Sequence, residues 1–101
     1  MPGKKDEFLE QMKKKLDDFN YRWNLERNKL EAKIQQESAG AKKKLEADRD
    51  DLLKFRKEMK EKIIDLEVAG ENAWDDVKDG VENAWTALSK AFDNATSHFK
   101  K

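Results

Sequence analysis

Large apolar residues recur at helical spacing along almost the whole chain. They are separated mostly by steps of three, four or seven residues, and charged residues fill most of the positions between them. At about 100° per residue, these apolar positions fall within roughly 100° of arc on a helix, which predicts one apolar stripe. The apolar stripe comprises Leu9, Leu16, Trp23, Leu30, Leu45, Leu52, Met59, Ile63, Leu66, Trp74, Val77, Val81, Trp85, Leu88, Phe92 and Phe99. The pattern predicts an all-α protein.

An eleven-residue repeat occupies the C-terminal third of the chain. Residues 71–81 have the sequence ENAWDDVKDGV, and residues 82–92 follow with ENAWTALSKAF. Eleven residues make three helical turns at about 3.67 residues per turn, so such a hendecad keeps its apolar residues on one side of a nearly straight helix. We therefore predict a C-terminal amphipathic helix over roughly 71–100.

The remainder of the chain is predicted to form one long helix over roughly 4–68, after a disordered start at 1–3. Pro2 is the only proline. Ser38-Ala39-Gly40 is a candidate for a turn or kink, but the apolar stripe keeps its phase across it, which favours helical continuity at Gly40.

A turn or a kink is predicted at Gly70, which we take as the hinge. A glycine can end a helix, and Asn72, three residues before Asp75, is a suitable cap for the next one. The second helix is expected either to fold back along the first as a helical hairpin or to continue it after a kink.

The composition favours long helices that associate with one another. Lys, Arg, Asp and Glu make up 44% of the chain, with 22 positive and 22 negative residues. Ala, Glu, Lys, Leu and Arg together number 52, a proportion typical of coiled coils. A small chain with few bulky side chains buries a modest core, so we expect a homo-oligomer held by the apolar stripe. There is no cysteine and no long apolar segment, and a cytoplasmic protein is expected.

No catalytic, cofactor-binding or metal-binding residues are predicted, and the chain is not expected to be an enzyme. His98 is the only histidine, and the carboxylates lie on helices that offer no concave site. The acidic run at 48–51 lacks the glycine and the spacing of a calcium loop. The lysine runs at 13–15 and 42–44 are flanked by acids, and with zero net charge nucleic-acid binding is not expected.

The C-terminal helix could instead contact a membrane surface or a partner protein. Trp74, Trp85, Phe92 and Phe99 share one face, as aromatic residues do on an interfacial helix. Residues 71–101 nevertheless carry six acids and four lysines, and no basic rim borders the aromatic face in the sequence. A helix–helix seam is therefore the favoured interpretation, and binding of a membrane or of an unfolding client protein is the alternative.

The C-terminal part resembles a family of small bacterial coiled-coil stress-response proteins, first described in cyanobacteria. The resemblance lies in AGENAWDDVKDGVENAW at 69–85 and in AFDNATSHFK at 91–100. These segments contain an alanine-glycine step, two Ala-Trp units eleven residues apart and a terminal Ala-Thr-Ser-x-Phe-Lys. The resemblance implies a cytoplasmic helical protein linked to stress tolerance, with no assigned reaction and with Gly70, Trp74 and Trp85 as signature positions.

The function expected from the sequence is that of a non-enzymatic, stress-associated structural or interaction protein that self-associates through the apolar stripe. Peripheral binding to a membrane or to a client protein through the C-terminal helix is the alternative function.

Overall fold

The computed structural model describes residues 3–97, and these form three helices without any strand. Helix α1 spans Lys4–Gln36, α2 spans Ala39–Val68 and α3 spans Trp74–Thr96. The all-α class is confirmed. Phe99 lies outside the described residues, as does most of the start that was expected to be disordered, so both of these expectations stay predictions.

The expectation of one helix over 4–68 is corrected, because the chain leaves the helical conformation at Glu37 and Ser38. Their backbone angles are extended, with φ −86° and ψ 159° at Glu37 and φ −65° and ψ 162° at Ser38. Helix α2 then starts with the N–H of Lys42 donating to the carbonyl of Ser38 at 2.7 Å. Gly40, where continuity was favoured, is the second residue of α2 rather than a break.

The physical reason for the break is burial. An uninterrupted helix of that length would leave its apolar stripe in water, whereas a chain that folds back packs one half of the stripe against the other.

The three helices form an up-down-up bundle that measures 53 × 20 × 19 Å. Two ion pairs show that α1 and α2 are antiparallel, because the start of α1 lies beside the end of α2 and the end of α1 beside the start of α2. Lys13 Nζ lies 3.0 Å from Glu67 Oε1, and Arg49 Nη1 lies 3.0 Å from Glu31 Oε1. Helix α3 runs in the same direction as α1, and it packs mainly on α2. The helical hairpin expected at Gly70 is confirmed, because α3 folds back along α2. Helix α1 adds a third helix to it.

The connection between α2 and α3 contains Gly70. The carbonyl of Gly70 accepts hydrogen bonds from the N–H of Ala73 at 3.0 Å and of Trp74 at 3.2 Å. No described residue has a positive φ, so Gly70 is not a left-handed C-terminal cap. The residue that precedes α3 is Ala73, and no side chain caps the helix, so Asn72 does not take the expected role.

The core runs along the bundle axis. Leu30, Leu52, Leu66 and Leu88 are fully buried, and Met59 and Val81 are buried with them. Complete burial of one such side chain contributes about 1.5–3 kcal/mol. The stability of the bundle therefore depends on contacts among all three helices rather than on any one helix.

Candidate interaction site

Most of the apolar stripe lies inside the chain's own core. The buried members are Trp23, Leu30, Leu45, Leu52, Met59, Ile63, Leu66, Val81, Leu88 and Phe92. The members that are partly buried and packed against this core are Leu9, Leu16, Trp74, Val77 and Trp85. The stripe is thus an intramolecular seam in this structure, and only its partly buried members reach the surface.

A groove between the first halves of α1 and α3 exposes the two aromatic residues among them, Trp74 and Trp85. We call it the aromatic groove, and it is formed by Phe8, Met12, Trp74 and Trp85 together with charged side chains from both helices. Its volume is about 530 Å³. Phe8 and Met12 lie one helical turn apart on the buried face of α1, while Trp74 and Trp85 are separated by three turns of the hendecad helix.

Lysine side chains lie over the aromatic rings of this groove. The ring centroids of Phe8 and Trp74 are 6.3 Å apart at an interplanar angle of 43°. Lys78 Nζ lies 5.5 Å from the Phe8 centroid and 5.8 Å from that of Trp74, and Lys15 Nζ lies 5.4 Å from the Trp85 centroid. Each such cation–π contact contributes about 0.5–1 kcal/mol at an exposed site.

The aromatic groove has a mixed charge with an excess of lysine. Lys4, Lys15 and Lys78 line it together with Glu7 and Glu82. Lys78 and Glu82 are 3.9 Å apart, one turn from each other on α3. The other two lysines come from α1 and are exposed. The sequence of α3 alone showed no basic rim beside its aromatic face, and the tertiary structure supplies one from α1.

The second half of α3 packs against α1 and leaves no groove at its aromatic residue Phe92. Phe19 and Phe92 make an edge-to-face contact with centroids 5.3 Å apart, and the Arg22 guanidinium lies 4.9 Å from the Phe92 centroid. The Thr96 hydroxyl donates to the carbonyl of Phe92 at 2.8 Å. The accessible aromatic surface of α3 is therefore confined to its first half.

Phe8 is the residue of this site that the sequence pattern did not identify. Leu9 was assigned to the apolar stripe, but Phe8 is the buried member of the pair and Leu9 is only partly buried. The spacing of four residues between Phe8 and Met12 carried the signal. The contacts of Lys15 with Trp85 and of Phe8 with Trp74 join residues far apart in the chain, so no local pattern could predict them.

Metal-ligating side chains are not clustered in the described part of the chain. Among residues 3–97, no three metal-ligating side chains lie close enough to hold an ion. The pKa of Arg49 is raised above its ordinary value by its hydrogen bond to Glu31 and by the charge of that carboxylate. None of the helices described here combines the length and apolar character that crossing a bilayer requires.

Comparison with known proteins gives no match to a protein-family model, to a curated protein or to a solved structure. The resemblance of residues 69–100 to the stress-response family therefore stays a prediction.

Proposed function

We propose that this chain is a non-enzymatic, stress-associated helical interaction protein that binds anionic membrane surfaces reversibly through the aromatic groove. The observation that carries the proposal is the position of three lysines around the partly buried Trp74 and Trp85. Tryptophan favours the boundary between water and lipid, and lysine is attracted to anionic headgroups. Glu7 and Glu82 oppose that attraction, so the binding should be weak and dependent on salt.

Vesicle binding by tryptophan fluorescence tests the proposal. The background is Trp23→Phe, because Trp23 is a core residue that would otherwise contribute to the emission. We expect the emission of Trp74 and Trp85 to shift to the blue with phosphatidylglycerol vesicles and not with phosphatidylcholine vesicles. The shift should weaken as salt is raised above about 0.1 M, where the Debye length falls below about 10 Å.

A matched pair of charge variants locates the binding surface. Lys4→Gln with Lys15→Gln removes two groove lysines, while Lys43→Gln with Lys44→Gln removes two exposed lysines near the opposite end of the bundle. At about 1 kcal/mol per lysine near an anionic surface, the groove variant should bind roughly 30-fold more weakly. Equal binding by the two variants would show that the aromatic groove is not the membrane-binding surface.

Self-association is the second candidate function, and four exposed apolar side chains favour it. Tyr21 and Leu25 on α1 are 68% and 57% exposed, and Ile64 and Val68 on α2 are 49% and 79% exposed. These two patches need no rearrangement to meet a second copy, whereas self-association through the apolar stripe would require the bundle to open.

Light scattering at two well-separated concentrations measures the molar mass directly. A mass above the 11.8 kDa of one chain that returns to this value in Leu25→Glu with Val68→Glu would favour self-association through the exposed patches. An oligomer unaffected by these substitutions would instead indicate exchange of the stripe between chains.

A further inference from the structure

Lys78 places one ammonium group over two rings of the aromatic groove. Its Nζ atom lies 5.5 Å from the ring centroid of Phe8 and 5.8 Å from that of Trp74, and the two centroids are 6.3 Å apart. These rings belong to different helices, α1 and α3. Lys15 differs from Lys78, because it is exposed and lies over the Trp85 ring.

Two neighbours on α3 hold the Lys78 side chain in this position. Trp74 comes four residues before Lys78 and Glu82 comes four residues after it, and residues at this spacing are neighbours on the surface of a helix. The Oε1 atom of Glu82 is 3.9 Å from Lys78 Nζ. Lys78 is half-buried as a result, and its ammonium lies between the two rings and the carboxylate.

An ammonium group in this position covers the aromatic surface that a lipid would contact. The face of an aromatic ring attracts a cation, and a charged group is unfavourable in an apolar environment. The ammonium of Lys78 must therefore leave the rings before Trp74 can enter the less polar part of a membrane. A neutral surface offers no net charge that would compensate for the lost contacts, so Lys78 opposes binding to neutral membranes.

An anionic surface changes this balance. The attraction of one lysine to an anionic membrane is comparable in strength to a cation–π contact at an exposed site. Lys78 can therefore exchange its rings for a phosphate group, while its aliphatic stem stays against the groove and its charged end extends to the boundary between water and lipid. The same headgroups repel Glu82, which weakens the hold of that carboxylate on Lys78.

We propose that Lys78 determines the lipid specificity of the aromatic groove, because it covers Phe8 and Trp74 until an anionic headgroup draws its ammonium away. This inference rests on the proposed function, the binding of anionic membranes, and adds a second role for one of the three groove lysines. Lys4 serves as the comparison. It lines the same groove and contributes its charge, whereas the two lysines placed over the rings are Lys15 and Lys78.

Partition between water and vesicles, measured for two single variants, separates the covering role of Lys78 from its charge. Lys78→Gln uncovers the rings, so its affinity for phosphatidylcholine vesicles should rise about two- to fivefold above that of the wild type. Lys4→Gln should leave this affinity unchanged. With phosphatidylglycerol vesicles, Lys4→Gln should bind about fivefold more weakly than the wild type. Lys78→Gln should lose less, because uncovering the rings offsets part of the lost attraction.

Acrylamide quenching of Trp74 fluorescence tests the covered state without any lipid. In the background Trp23→Phe with Trp85→Phe, Trp74 is the only tryptophan left in the chain. Lys78→Gln should raise the quenching constant, because the Trp74 ring becomes more accessible. Lys78→Arg should not raise it, since a guanidinium keeps the charge and stacks on aromatic faces. Circular dichroism and the Tm of each variant confirm that the bundle remains folded, and both glutamine and arginine are good helix formers.

Several results would overturn the inference. An unchanged quenching constant in Lys78→Gln would show that the ammonium does not cover Trp74. An equal rise in phosphatidylcholine affinity in Lys78→Gln and Lys78→Arg would indicate disturbed packing rather than the loss of a cation. If the wild type bound phosphatidylglycerol vesicles and Lys78→Gln gained no affinity for phosphatidylcholine, only this inference would be wrong. Absence of binding to both kinds of vesicle in every variant and in the wild type would contradict the proposed function as well.

Discussion

Replacement of Ser38 by proline should stabilise this protein, although proline usually breaks helices. Ser38 has φ −65°, the angle at which the proline ring holds the backbone. Glu37 is extended, with φ −86° and ψ 159°, as the residue before a proline prefers. The Ser38 side chain makes no capping hydrogen bond, and its N–H donates to no other residue between 3 and 97. The substitution therefore removes no hydrogen bond that the described residues make.

The expected gain comes from the unfolded chain. Proline restricts the unfolded backbone, and at a compatible position this raises the free energy of unfolding by about 0.4–1 kcal/mol. For a domain of this size, that corresponds to an increase in Tm of about 2–8 °C. The same residue inside an uninterrupted helix would cost about 3 kcal/mol or more. The sign of the effect thus distinguishes the turn from the continuous helix over 4–68 that the hydrophobic pattern predicted.

Urea denaturation followed by circular dichroism at 222 nm measures the change. The matched control is Ala47→Pro, because Ala47 is an exposed residue within α2 and its substitution should destabilise the protein strongly. If Ser38→Pro destabilised the protein as much as Ala47→Pro, the chain would not turn at residues 37 and 38. The up-down-up bundle would then be incorrect.

Three further substitutions test the packing and the electrostatics. Gly80→Ala should raise the free energy of unfolding by about 0.5–1 kcal/mol in urea denaturation. A Cβ at Gly80 would meet only the Lys62 side chain, with Cδ at 3.7 Å and Cε at 3.9 Å, which are ordinary contacts. A loss of stability would therefore mean that α2 and α3 pack more closely than described. Leu88→Ala should cost about 2–5 kcal/mol in the same assay, since Leu88 is fully buried, and a cost below about 1 kcal/mol would place this residue outside the core. Arg49→Gln should cost no more than about 1 kcal/mol, because the Glu31 side chain is 46% exposed. Pairing with Glu31 raises the pKa of Arg49. The contribution of this ion pair to the free energy of unfolding is therefore complete at any pH below the ordinary pKa range of arginine, and it is lost only in stronger alkali. The difference between wild type and Arg49→Gln, measured by thermal melts, should therefore stay constant between about pH 6 and about pH 9, and a marked change within that interval would contradict this account.

The residues of the aromatic groove show where prediction from the sequence reaches its limit. Trp74 and Trp85 could be recognised as members of the apolar stripe because the hendecad is a local repeat. Their partners Lys15 and Phe8 could not be predicted, because these contacts bring together residues about 66 and 70 positions apart in the chain.

The sequence by itself determined the helical class and most of the buried residues, since a period near 3.6 residues is a local property of the chain and assigns each helix an apolar face. It did not determine where the long helical pattern breaks. The turn at Glu37 and Ser38 contains no proline or glycine, and a pattern with preserved phase suits both a continuous helix and a hairpin. Only the tertiary structure decides between them, because the free energy that favours the turn comes from packing the two halves of the apolar stripe against each other and against α3.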